Sequence, residues 1–228
     1  MKYIKKAFKD TLPIFAGYIF LGMGFGMMLE KIGYGADWAL VMSIVLYAGS
    51  MQYVAVELLA AGASLITCAI TTLMVNARHI FYGISMVDKY RGMGKFKPYL
   101  EFALTDETYS LLCMADIEDK KDRKTYYFAV SILDHIYWIT GCVLGNLVGQ
   151  ILPFSSEGVE FALTALFLTI FTEQWQSTKD HSSALTGLIS TFLCLIIFGS
   201  ENFLIPSMIV ITIVLTLNKK KTEDKADE

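Results

Sequence analysis

Residues 47–86 read YAGSMQYVAVELLAAGASLITCAITTLMVNARHIFYGISM. Most of this stretch is apolar enough for lipid. Yet Gly49-Ser50 and Gln52 interrupt it early, Glu57 follows, and Asn76, Arg78 and His79 sit deep in its second apolar run. A charged side chain at bilayer depth costs roughly 2.5–3.5 kcal/mol on insertion scales. A chain that keeps several such groups there uses them on a path for something polar, and the remaining sequence reads as the scaffold of that path. The expected fold is an all-α polytopic membrane protein with six to eight membrane segments, some of them broken or re-entrant.

Composition agrees. Of the 228 residues, 54% are hydrophobic, and mean hydropathy is +0.49. A soluble domain of this size could not cover so much apolar surface. The net charge of −3 carries no signal for nucleic acid; the informative feature is that charges gather in short loops and tails. Cys68, Cys113, Cys142 and Cys194 each lie in an apolar run without a C-x-x-C pair, and read as small core hydrophobes. The basic start resembles a secretion signal, but its apolar run extends to Leu29 without a small-x-small cleavage site. An uncleaved first span is expected.

A basic leader, 1–11, precedes segment one, Leu12–Leu29, with Pro13 in its first turn and Gly22 and Gly26 spaced for close helix approach. Segment two, Trp38–Ala61, is interrupted near its midpoint, leaving halves of about eleven residues, each half a bilayer deep. Segment three is Ser64–Met86. Segment four, Tyr99–Ala115, is short and carries Glu101, Asp106 and Glu107. Segment five, Tyr126–Leu152, holds Asp134 and His135 and ends in the ladder Gly141/Gly145/Gly149, expected to pack a partner helix or a second copy. Segments six to eight are Phe161–Gln174, Ala184–Phe198 and Phe203–Leu217. The domain plan is a leader (1–11), one transport domain (12–218) and a charged, disordered cytoplasmic tail (219–228).

Orientation follows from the positive-inside rule, with both termini cytoplasmic. If all eight segments cross, thirteen Lys/Arg lie inside and five outside, with Arg78 in the membrane. If segments two and four are re-entrant, the basic loop Asp88–Pro98 moves inside and the counts become seventeen and one. The second arrangement is preferred; it also accounts for the break in segment two and the polarity of segment four.

Four constellations stand out. Gly49-Ser50-Met51-Gln52 reads either as a kink or as a broken helix whose second half opens with backbone N–H groups suited to a carboxylate. Asn76, Arg78 and His79 place three polar groups within four positions, with Thr72, Asn76, His79 and Gly83 on one helical stripe. Thr105-Asp106-Glu107-Thr108 reads as a capped helix start whose acids neutralise Arg78 or bind an ammonium group. Asp134-His135, with Ser131, Trp138 and Cys142 on the same face, reads as an interhelical contact or a proton relay. Arg78 either binds a substrate carboxylate or neutralises Asp106; the second is preferred, because two unpaired acids in a low-dielectric site cost more. No Walker loop, G-x-S-x-G, H-E-x-x-H or metal-ligand spacing is present, so neither an enzyme nor a cofactor or metal protein is expected.

Taken together, Ala48-Gly49-Ser50-Met51-Gln52, Asn76-Ala77-Arg78-His79 and Thr105-Asp106-Glu107-Thr108 resemble the AzlC family, the larger subunits of bacterial branched-chain amino acid permeases or exporters. The resemblance covers roughly residues 5–218. It implies a permease of the bacterial inner membrane that exports branched-chain amino acids such as valine and works with a small AzlD-like membrane subunit. Without a nucleotide-binding signature, transport is expected to be secondary and ion-driven. Gly49, Ser50, Gln52, Asn76, Arg78, His79, Asp106 and Glu107 are the expected substrate-binding residues, with Asp134 and His135 as a proton relay. The competing reading is a membrane scaffold or regulatory subunit whose buried polar residues are structural.

Overall fold

The computed structural model describes residues 2–151, 168, 171–172, 175–176, 181–203, 206–207, 209–211 and 213–217. The chain forms two compact units, Met1–Ala165 and Leu166–Glu228. Nearly all of segment six and the whole of the tail 219–228 lie outside the described residues, and segment eight is described in part.

In the first unit, α1 (Lys2–Lys31) and α8 (Lys120–Ile151) are long and apolar enough to cross a membrane. Between them run α2 (Ala36–Val45), α3 (Gly49–Ala60), α4 (Leu65–Val75), α5 (Ala77–Met86), a 3-10 turn (Gly94–Phe96), α6 (Lys97–Phe102) and α7 (Asp106–Met114). None of these inner helices exceeds 12 residues, so each rises at most about 18 Å, roughly half of a bilayer's hydrocarbon depth. They form three interrupted pairs: α2/α3 at Leu46–Ala48, α4/α5 at Asn76, and α6/α7 at 103–105.

Two expectations change here. Basic leader and first span are one helix, α1, which continues through Pro13; neighbouring helices can re-satisfy a proline's freed carbonyl in a membrane helix. Segment three, expected as one helix, is divided at Asn76, whose φ of −92° and ψ of 3° close α4 and open α5. An asparagine side chain competes locally for backbone hydrogen bonds and tolerates this bridge conformation.

The α1–α8 contact is the most extensive in the fold. Gly22 and Gly26 of α1 meet Gly141 and Gly145 of α8. A Cβ at Gly22 would lie 2.9 Å from the Cys142 nitrogen, one at Gly26 2.5 Å from the Asn146 nitrogen, and one at Gly141 2.7 Å from the Tyr18 carbonyl oxygen. The ladder expected to receive a partner helix therefore packs inside the chain, because α1 carries a matching stripe at the same four-residue spacing. Asn146, fully buried beside it, donates to the Gly26 and Tyr34 carbonyls at 3.2 and 2.9 Å. Of the four cysteines, Cys142 and Cys194 are buried as expected, whereas Cys113 is exposed.

The second unit contains α9 (Ser182–Asn202), which turns at Gly199, φ 75°. Its Ser182–Gly199 portion is the third helix long and apolar enough to cross a membrane, and Leu188, Phe192 and Ile196 on it are exposed.

Candidate functional site

The three interruptions bring three helix N-termini to one guanidinium. Arg78, in the first turn of α5, donates from Nη2 to Ser50 Oγ at 2.8 Å, in the first turn of α3, and to Asp106 Oδ2 at 2.9 Å, in the first turn of α7. The ion pair is only partly exposed, 29% and 21% for the two side chains. Each helix start carries about half a positive charge on its unpaired N–H groups. Three such ends around Arg78, set against Asp106 and Glu107, make a place where an added anion is welcome.

The break before α3 is made by Tyr47, a non-glycine residue at φ 36°. Its ring stacks on His135 at 4.1 Å. Gly49 has another reason to be glycine: a Cβ there would lie 3.0 Å from the Trp138 ring. The same indole donates through Nε1 to Gln52 Oε1 at 2.7 Å. Gln52 is fully buried, and its Nε2 has no partner. The first helical bond of α3 runs from the Gln52 N–H to the Ala48 carbonyl at 2.8 Å, so the N–H groups of Gly49, Ser50 and Met51 precede it.

Thr105 caps α7, its Oγ1 accepting from the Thr108 N–H at 3.3 Å, as the sequence pattern predicts. This cap holds Asp106 toward Arg78 and Glu107 toward α1, where the Tyr18 hydroxyl donates to Glu107 Oε2 at 2.7 Å. Asp134 is fully buried and accepts from Thr108 Oγ1 at 2.8 Å. His135, its neighbour on α8, faces elsewhere: Nδ1 lies 3.1 Å from the Tyr99 hydroxyl and Nε2 3.2 Å from the Ser43 carbonyl oxygen. A carbonyl only accepts, so Nε2 carries the proton and Nδ1 accepts from Tyr99. His135 thus braces α2 and α6 against α8, while Asp134 belongs to the α7 cluster. His79 packs edge-on to Tyr82, ring centroids 6.0 Å apart, beside the Arg78–Asp106 pair.

Next to the α3 start lies a mainly apolar cavity of about 410 Å³. Met42, Leu46, Ala48, Met51 and Leu58 line it, and Asn76 stands at its polar edge. Asn76 Oδ1, Arg78 Nε and Asp106 Oδ1 are all buried without a partner. Buried polar atoms are usually paired; these three stand around one ion pair, with Tyr82 of α5 beside Asp106. Tyr18, Tyr99, Thr108 and Trp138 are site residues that the sequence reading did not single out for these roles; the available signal was a hydroxyl or indole N–H inside an apolar run, which needs a partner once buried.

The profile of the AzlC protein family matches residues 13–152, a span that contains every group just described. The chain belongs to the AzlC family. It is 44% identical over 219 residues to the branched-chain amino acid transport protein AzlC of Bacillus subtilis, covering 96% of this chain and 86% of that one. It is also 44% identical over 224 residues to an uncharacterized membrane protein of Haemophilus influenzae (98% and 92% covered). Over 191 residues it is 28% identical to the inner membrane protein YgaZ of Escherichia coli (80% and 78% covered). No solved structure matches the chain. Membership makes this a transmembrane protein of the transport class; composition by itself implied only the membrane.

Proposed function

We propose that this chain is the large subunit of a secondary, ion-driven exporter of branched-chain amino acids such as valine, working in the bacterial inner membrane with a small AzlD-like membrane subunit. The observation that carries this reading is the convergence of the α3, α5 and α7 starts on Arg78 beside an apolar cavity. A branched-chain amino acid has three parts, and each meets a complement. Its carboxylate suits the N–H groups of Gly49, Ser50 and Met51, with Gln52 Nε2 near by. Its ammonium suits the unpartnered Asp106 Oδ1 and Asn76 Oδ1. Its aliphatic side chain suits the cavity between α2, α3 and α4. A purely structural scaffold would satisfy its own buried polar atoms; the unpartnered ones favour a ligand.

The test is efflux of labelled valine and leucine from preloaded cells, with resistance to toxic analogues as a second readout. Cells with the transporter should lose valine faster than cells lacking it. Ala55 of α3 also lines the cavity; Ala55→Phe, which fills part of it, should lower leucine efflux on the order of tenfold, about 1.4 kcal/mol, and valine efflux less, because leucine needs more room. Equal efflux with and without the transporter removes the proposal.

In the proposed topology both termini and the basic loop 88–98 face the cytoplasm. Lys95 is exposed there. A cysteine at this position (K95C), in a chain with the four native cysteines replaced, should resist a membrane-impermeant thiol reagent on intact cells and react once the cells are opened. Labelling of intact cells would place the loop outside.

A further inference from the structure

We propose that Asp134 and Glu107 share a single proton through the hydroxyls of Tyr18, Thr105 and Thr108, and that this proton is the coupling ion of transport. The coupling half of the proposal rests on the transport reading above; the shared proton does not.

Five oxygens form an unbroken chain. Glu107 Oε2 lies 2.7 Å from the Tyr18 hydroxyl, which lies 2.7 Å from Thr105 Oγ1. Thr105 Oγ1 is 3.1 Å from Thr108 Oγ1, which is 2.8 Å from Asp134 Oδ2. These four contacts need four protons if each is to be a hydrogen bond. The three hydroxyls supply one each. With both carboxylates ionised, one contact would set two lone pairs face to face in a dry interior. One additional proton, on either acid, completes the set.

No cation does this work instead. Among the described residues, neither Asp134 nor Glu107 is in a salt bridge, and the neighbouring Arg78 pairs with Asp106. The titratable groups facing the two acids are Tyr18 from α1, Tyr47 from the α2/α3 break, Tyr82 from α5, Tyr99 from α6, Asp106 from α7, and Tyr126 from α8. None of them carries positive charge. His135, beside Asp134 on α8, has both ring nitrogens engaged with Tyr99 and Ser43. Asp134 is fully buried, and its Oδ1 has no partner; Ser131, one turn earlier on α8, is likewise fully buried with its hydroxyl unpartnered. The inner end therefore keeps two buried polar atoms without partners, while Glu107, at the other end, is only half-buried.

The chain has two states of equal proton count. With the proton on Glu107, every hydroxyl points toward Asp134. When Glu107 releases it to Tyr18, Tyr18 passes its own to Thr105, Thr105 to Thr108 and Thr108 to Asp134. Each hydroxyl loses one proton and gains one, Glu107 becomes a carboxylate and Asp134 a carboxylic acid. Glu107 lies next in sequence to Asp106, the acid that holds Arg78, so ion site and proposed substrate site share the first turn of α7.

The experiment has two arms. The purified full chain at neutral pH should show the infrared carbonyl band of one protonated carboxyl, absent from the double variant Asp134→Asn/Glu107→Gln and reduced in Thr108→Val. No such band in the wild type overturns the shared proton, whatever transport does. In inside-out vesicles of cells expressing the full chain together with a small AzlD-like subunit, an imposed pH gradient should drive valine accumulation. Asp134→Asn should cut that accumulation at least tenfold while the solubilised variant elutes as a single species at wild-type membrane abundance, which shows that it folds. Accumulation driven by sodium alone, or unchanged pH-driven accumulation in both Asp134→Asn and Glu107→Gln, overturns the coupling role. Absence of valine exchange in the wild type, with the infrared band present, overturns the transport reading and leaves the shared proton standing.

Discussion

Gly145→Leu should sharply reduce the amount of folded protein. A Cβ at this position would lie 2.6 Å from the Met23 carbonyl carbon of α1, and the obstacle is main chain, which no rotamer change can move aside. Relief would require α1 and α8 to separate along their whole contact, undoing the approach of Gly22 and Gly26 as well. Overpacking of a core typically costs 1–3 kcal/mol; with backbone on both sides, about 3 kcal/mol or more is expected. That is a large share of the roughly 5–15 kcal/mol typical of native proteins. The measurement is the fraction of solubilised protein that elutes as a single species, together with membrane abundance. Position-matched controls give the opposite sign. Gly17 and Gly83 have nothing within 4 Å of an added Cβ, so Gly17→Ala and Gly83→Ala should be neutral or stabilise by about 0.5–1 kcal/mol through backbone entropy. Gly149→Ala, with Met27 Cα at 3.4 Å, should fall between. If Gly145→Leu keeps wild-type abundance and elution, the α1–α8 contact is not what holds the unit together.

Arg78→Ala should remove transport and destabilise the first unit. It leaves Asp106 without its partner and Ser50 without its donor. Breaking a fully buried ion pair costs 3–5 kcal/mol; this one is partly exposed, so about 2 kcal/mol is expected. Arg78→Lys keeps the charge, but a compact ammonium on a shorter stem does not reproduce the planar guanidinium, and efflux should fall on the order of tenfold. The exchanged pair Arg78→Asp with Asp106→Arg is the informative variant. Position 78 opens α5 and position 106 opens α7, so moving the charges trades one helix-dipole term for the other and leaves the sum nearly unchanged. The pair can therefore re-form, although the longer side chain now reaches from the other side and the contact with Ser50 is lost. Partial recovery of efflux over either single variant identifies Arg78 as the counter-ion of Asp106. No recovery, with normal abundance, identifies a direct role for the guanidinium at the substrate. Normal efflux in Arg78→Ala, Asp106→Ala and Glu107→Ala alike would move the site elsewhere.

Much of this protein could be read along the chain. Hydrophobic runs of bilayer length with most charges gathered in the loops and tails between them define the membrane class, because the solvent alone selects for them. The interruption in segment two and the Thr105 cap were legible, since both are decided within a few residues. The pairing of Arg78 with Asp106 was legible as a charge argument, since an unpaired charge in an apolar setting demands a partner. Distances in space were not. Gly49 looked like the residue that breaks its helix; in fact Tyr47 takes the positive φ, held by its stack on His135, and Gly49 makes room for Trp138. The Gly141/Gly145/Gly149 ladder announced a close helix contact, but which helix answers it depended on α1 being continuous from Lys2 through Pro13 and lying alongside. Tyr18, Thr108 and Trp138 carry no local signature as site residues, because their roles come from partners 26 to 89 positions away. Local propensity and solvent set the class of fold and the places where helices stop; only the packing of α1, α7 and α8 decided which hydroxyls stand between Glu107 and Asp134, because hydrogen bonds are made between neighbours in space.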